Sequence, residues 1–182
     1  MGTSTSLILI IASLATFAVI TGVSTFHFVR KGAVPLGAMV ISVAAVSSVA
    51  IFAWCAWVAP RDAIIPLPLY AAALALFFWT IQTTRKREFV LAFTKIVPSA
   101  LTVEGPYAFV RHPFYVSYLV YHFANAVATT ALLPWAMFGL MLAIYIVAAR
   151  GEEQFLSQGE YKDAYGAYRR RTGMFLPKLW QS

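Results

Sequence analysis

Long apolar runs alternate with short charged ones along this chain. Residues 6–28, 34–59, 63–83, 114–133 and 135–149 contain no Asp, Glu, Lys or Arg. Most of them approach the roughly 20 residues that a helix needs to cross a bilayer. They lack the in-out alternation of a barrel strand, and hydrocarbon admits only helices and closed barrels, because an unpaired backbone group there costs several kcal/mol. The pattern therefore predicts an all-α integral membrane protein with about five transmembrane helices. The first run has no basic stretch before it and no small-residue cleavage site after it, so it reads as a membrane helix rather than a signal peptide. The fifth run has only 15 residues. It either tilts little, extends into the region of Arg150, or forms a tight hairpin with the fourth, turning at Pro134.

Polar positions sort the rest of the chain. Residues 1–84 read as a three-helix scaffold in which Gly37, Ala38, Ala44, Ala45, Ser47 and Ser48 allow helices to approach closely. Pro66 and Pro68 mark the start of the third helix. Residues 88–112 form a mixed interfacial loop. In the fourth run Tyr115, Tyr118, His122, Asn125 and Thr129 recur every three or four residues and share one helical face. Two readings of that face stay open, interhelical hydrogen bonding and the wall of a pocket. Residues 152–171 are too polar to span, yet Phe155, Leu156, Tyr161, Tyr165 and Tyr168 follow helical spacing. They predict a cytoplasmic C-terminal surface helix with aromatics dipping into the interface, ended by Gly173 and Pro177. All 182 residues read as a single membrane domain.

Composition agrees with this picture. A chain with 60% hydrophobic and 12% charged residues cannot cover a water-soluble surface. With five spans, Arg30, Lys31, Arg85, Lys86, Arg87, Lys95, Arg111, Arg150, Lys162, Arg169, Arg170, Arg171 and Lys178 fall on one side, and Arg61 alone on the other. Basic loops stay in the cytoplasm, so the N-terminus is expected outside and the C-terminus inside. The net charge of +7 is juxtamembrane, which points to membrane lipid and not to nucleic acid. The single Cys55 reads as a small apolar side chain. His27, His112 and His122 have no metal-ligand spacing, so no metal is expected.

Two charged clusters flank the last hydrophobic hairpin. The first is Arg111-His112, directly before Pro113, and the second is Arg150-Gly-Glu152-Glu153. Pro113 suits the first turn of a helix, whose free amides beside Arg111 favour a carboxylate or phosphate. Glu152 and Glu153 suit a cation, and one ligand carrying both charges would engage both clusters. A plainer reading also stands, in which the glutamates terminate a helix and Arg111 anchors in headgroups.

The strings GPYAFVRHPFYVSY, ARGEEQFL and YKDAYGAYRRRTGMFLP, in that order around a helical hairpin, resemble the isoprenylcysteine carboxyl methyltransferase family and its phospholipid methyltransferase relatives over about residues 95–178. The resemblance implies a membrane methyltransferase that uses S-adenosylmethionine, held in a cytoplasm-facing pocket closed by the C-terminal segment. Residues 85–182 would be its cofactor-binding catalytic part. Ser99, Ala100, Leu101, Thr102 and Tyr107 would run along the cofactor, with His112, Pro113, Phe114 and Tyr115 as its main contacts and Glu152 and Glu153 as its acidic contacts. Arg150 and Arg111 would be the catalytic pair, and Arg150, Tyr118, His122 and Asn125 would meet the lipophilic or prenylated acceptor. Ser117 stands where many relatives carry glycine.

The favoured acceptor is the carboxylate of a prenylated cysteine. A carboxylate is already ionised at neutral pH and attacks a methyl group without a general base. A phospholipid amine would first have to lose a proton. Two further readings are an NADPH-dependent sterol-reductase-like enzyme, which would favour more basic residues over the Glu152-Glu153 pair, and a non-catalytic lipid-binding scaffold, for which buried charge would be a cost without use.

Overall fold

The computed structural model describes residues 2–29, 34–85, 89–90, 101–158 and 162–178. Six α-helices carry these residues: α1 (Gly2–His27), α2 (Leu36–Val58), α3 (Pro66–Thr84), α4 (Pro113–Val127), α5 (Leu133–Gln158) and α6 (Lys162–Arg171). A single 3-10 turn covers Gly105–Ala108. The extended pairing among the described residues is slight, with Phe28–Val29 beside Phe89–Val90 and isolated bridges at Pro60 with Thr129 and Val110 with Gly173. The protein is an all-α membrane protein, and α1, α2, α3 and α5 are each long and apolar enough to cross a bilayer.

The last hairpin departs from its predicted boundaries in both arms. α4 has 15 residues, or about 22 Å, short of the roughly 30 Å hydrocarbon layer. Its apolar run continues to residue 133, but the backbone leaves the helix after Val127 to bond with the chain between α2 and α3. Arg61 N donates to the Ala128 carbonyl at 2.9 Å, and Thr130 N to the Ala59 carbonyl at 3.0 Å. α5 instead runs for 26 residues, about 39 Å by the rise of an α-helix. Nothing after Ala149 breaks it, since Arg150, Glu152, Glu153 and Gln154 are good helix formers and Gly151 alone is unfavourable. The fifth span therefore does extend through Arg150. The surface helix expected over 152–171 is divided between the end of α5 and the separate α6.

Side-chain and backbone bonds sort the helix ends into two groups. His27 at the end of α1 lies 2.9 Å from Thr84 at the end of α3, while the chain after α2 meets the chain after α4 through Ala59, Arg61, Ala128 and Thr130. One end of the bundle thus gathers the ends of α1 and α3, the start of α4 and the end of α5. The helix α4 packs against α1, α2, α3 and α5, and Phe114, Tyr115, Leu119, Tyr121 and Ala124 are all buried. Protein rather than lipid surrounds it, so its polar side chains are tolerated.

Those polar groups bond to neighbouring helices. Tyr70 donates to Asn125 Oδ1 at 2.6 Å and Ser13 donates to the same atom at 2.9 Å. The Ser13 proton being used, the Tyr121 hydroxyl is the donor in its 3.0 Å bond with Ser13. Nearer the site, Ser48 lies 3.1 Å from His122 Nδ1 and Ser24 lies 3.3 Å from the Tyr118 hydroxyl. The small residues Ala44 and Ala45 of α2 let that helix close on Tyr115, Leu119, Met141 and Tyr145.

Gly105 opens the 3-10 turn that brings the chain to α4, with φ +58°, and a Cβ there would collide with the Thr83 hydroxyl at the end of α3. Gly105→Ala is therefore expected to cost about 1–3 kcal/mol and to lower the thermal midpoint in detergent. An unchanged midpoint would mean that this turn does not constrain the start of α4.

Candidate functional site

Pro113 occupies the first helical position of α4, where its missing N–H costs nothing, and His112 precedes it in a non-helical conformation with φ −127° and ψ 64°. This break in the backbone aims Arg111 and His112 at the protruding end of α5. Arg111 Nε donates to Glu153 Oε1 at 2.7 Å. His112 Nε2 is 3.1 Å from the same oxygen, and its Nδ1 is 3.5 Å from Glu152 Oε2. Tyr115, one turn into α4, donates to Glu152 Oε1 at 2.6 Å. Three residues at one helix start, Arg111, His112 and Tyr115, thus meet two successive carboxylates of α5.

The C-terminal segment closes the cluster with its backbone. Arg111 Nη1 donates to the Thr172 carbonyl. Arg111 N donates to the Gly173 carbonyl at 2.9 Å and His112 N to the Met174 carbonyl at 3.3 Å. Gly173 lets the segment fold back on itself here, because a Cβ there would collide with the Leu176 carbonyl. Tyr168 of α6 donates to the Tyr107 carbonyl at 2.7 Å, and Arg169 Nε stands 3.6 Å from Glu153 Oε2. Phe175 sets its ring edge against both His112 and Tyr115.

Burial sharpens the electrostatics. The Arg111 and Glu153 side chains are 7% and 5% exposed, so each charge is stabilised mainly by the other and by the hydrogen bonds around it. His112 has a carboxylate at each ring nitrogen, and only the doubly protonated ring can donate to both. Burial pulls its pKa down, but hydrogen bonds and charge from Glu152 and Glu153 outweigh that, and the net shift is upward.

The predicted site residues fall into distinct groups. Arg111, His112, Tyr115, Glu152 and Glu153 are brought together. Pro113 and Tyr107 lie beside them and are buried, Tyr107 lending its carbonyl. Phe114 turns the other way, against Phe28, Phe77 and His27. Thr102 is buried and Leu101 half-buried just before the 3-10 turn, while Ser99 and Ala100 lie outside the described residues. Tyr118 stands between Tyr115 and Tyr145 on one side and Phe77 on the other. His122 and Asn125 are bonded deeper in the bundle, to Ser48 and to Ser13 and Tyr70. Arg150 is exposed on α5 and, among the described residues, joins no ion pair.

Reasoning from residue types missed Tyr168, Arg169 and the 172–174 carbonyls. Backbone carbonyl acceptors leave no signature in residue identity, and Arg169 is one of three consecutive arginines. Residues 62–164 match the family model described as phospholipid methyltransferase. No curated protein matches the chain.

Two predictions follow from the charges. The raised His112 pKa means that protonation stabilises the fold fully below the imidazole's ordinary value of about 6.5, and that this contribution is lost as pH rises through the folded-state value. The thermal midpoint should fall as pH is raised above neutrality, and His112→Gln should flatten that slope. A wild-type midpoint that rises over the same range would refute the assignment. Arg111→Leu should cost about 3–5 kcal/mol, because it strands a buried carboxylate, and adding Glu153→Leu should recover part of the loss. Strictly additive losses in a double-mutant cycle would show the two groups uncoupled.

Proposed function

The chain belongs to the phospholipid methyltransferase family; from that premise we propose that it is an S-adenosylmethionine-dependent enzyme that methylates the carboxylate of a prenylated cysteine or a similar lipophilic acid. The observation that carries this reading is the cluster of Arg111, His112, Tyr115, Glu152 and Glu153 at one end of the α4–α5 hairpin. S-adenosylmethionine, when bound, supplies an electrophilic methyl group on a positively charged sulfur. The residues present fit such a cation. Glu152 is 33% exposed, so its carboxylate is open on one side, and the rings of Tyr115 and Phe175 add aromatic surface.

Each side chain then has a task. Arg111 holds Glu153 in place and ties it to the C-terminal segment. Tyr115 orients Glu152, and His112 fixes the spacing of the two carboxylates. Leu101, Thr102 and Tyr107 border the cofactor, as do Ser99 and Ala100 in this reading. Arg150, exposed one turn before Glu153 and without an ion pair among the described residues, meets the acceptor carboxylate. Tyr118, His122 and Asn125 line the path of its lipid tail. Charge neutralisation between sulfonium and carboxylate is favoured where water is excluded, and alignment lowers the barrier further.

Proton bookkeeping supports a carboxylate over an amine. His112 is drawn toward its protonated form, and Arg111 already occupies Glu153. A carboxylate acceptor needs no base at all. NADPH suits the cluster less well, because its phosphates would face the carboxylates of Glu152 and Glu153, and Arg111 beside them is already neutralised by Glu153. The preponderance of basic residues at the end of the bundle that carries the site, against Arg61 at the other, supports a cytoplasmic site and an outside N-terminus.

Calorimetry on the detergent-solubilised chain should detect S-adenosylhomocysteine binding and none for NADPH. Glu152→Gln should weaken that binding roughly 10–100-fold, the loss of a charge-assisted contact with the open carboxylate. Labelled methyl transfer should favour a prenylated cysteine over phosphatidylethanolamine. Binding of NADPH alone would overturn the cofactor, and transfer to the amine alone would overturn the acceptor.

A further inference from the structure

The last turn of α6 carries Arg169, Arg170 and Arg171, all exposed, and among the described residues the first of them faces a carboxylate. Lys178 folds back over the same turn, donating to the Arg170 carbonyl at 2.9 Å and the Arg169 carbonyl at 3.3 Å. Arg170, Arg171 and Lys178 thus crowd one helix end, and among the described residues none of them is in an ion pair with an acid. The helix-end carbonyls offset part of the repulsion among these cations, and an anionic partner would offset the rest.

The position of α6 identifies that partner. Tyr168 fastens the helix to Tyr107. Two residues on, Phe109 is 55% exposed and packs against Trp79 of α3, itself 46% exposed. An exposed Trp in the last turns of a spanning helix sits at the depth of the headgroup layer, which sets the level of Phe109 and α6 beside it. Leu176, 79% exposed and next to Lys178 but for Pro177, adds an apolar side chain to the basic turn. Cations flanking an exposed apolar residue at headgroup depth are complementary to an anionic lipid surface.

We propose that Arg170, Arg171 and Lys178 form a docking surface for anionic lipid headgroups, and that this docking holds the 172–174 strap against Arg111 and His112. The coupling is direct, because the same α6 turn continues into the carbonyls that receive Arg111 and His112. Lipid charge would thereby regulate how firmly the site is closed. This goes beyond the methyl-transfer reading and does not depend on it.

Amide hydrogen exchange tests the proposal without substrate or cofactor. The full chain is placed in nanodiscs of phosphatidylcholine alone or with about 30% phosphatidylglycerol, and exchange is followed over residues 165–175 and, as a fold control, within α1–α3. Anionic discs should slow exchange in the C-terminal segment roughly tenfold, and salt at about 0.5 M should erase the difference. Arg170→Gln with Arg171→Gln should remove the lipid dependence, whereas Arg170→Lys with Arg171→Lys should keep it. Equal exchange in both discs, the same lipid response in the glutamine variant, or equal protection by inorganic phosphate in neutral discs would each overturn it.

Discussion

A buried ion pair between Arg111 and Glu153 is the constraint around which this protein is arranged. Its two members lie 42 residues apart, at the start of one arm of a membrane hairpin and near the end of the other. Neither charge could remain in so dry a place alone, since the desolvation of an unpaired ion costs several kcal/mol. Arg111 therefore requires α5 to extend beyond its apolar stretch, and Glu153 requires α4 to begin where it does. His112 and the Thr172 carbonyl add hydrogen bonds to the pair, and Arg169 adds a second positive charge beside Glu153. The result is a set of charges in which, of the two carboxylates, that of Glu152 keeps an open side.

The central position of α4 explains how such polarity survives within a membrane protein. The helix is short, and its polar residues Tyr118, His122 and Asn125 bond to other helices instead of facing lipid, while Thr129 lies just beyond its end. Each hydroxyl or amide bonded across a helix interface fixes rotation as well as distance. The orientation of Tyr115 toward Glu152 thus follows from contacts made one to three turns away, at Tyr118, His122 and Asn125. Scaffold and site share one helix.

Much of this was legible in the sequence. The uncharged runs indicated membrane helices, and the placement of Arg111 and Glu153 on either side of a hairpin implied that they converge. Helix ends were harder, because the residues that stop α4 are as apolar as those within it, and the deciding bonds come from Ala59 and Arg61 far back in the chain. The length of α5 was concealed for the opposite reason: its charged residues from Glu152 onward read as the start of a separate surface helix, although as good helix formers they continue α5. Arg150 is one turn from Glu153 in sequence, yet it is exposed while Glu153 is buried. Packing around the helix settles that difference, and spacing alone cannot. The hydrogen bonds of the polar face of α4 likewise became visible only once their partners on α1, α2 and α3 were in place.

The closure of the site by main-chain oxygens has an evolutionary consequence. Thr172, Gly173 and Met174 engage Arg111 and His112 through carbonyls that every amino acid possesses. Natural drift can therefore rewrite most side chains of this strap without loosening its grip, with Gly173 the exception, since any larger residue would strike the Leu176 carbonyl. Distant descendants of this chain can share its closure while their C-terminal letters diverge.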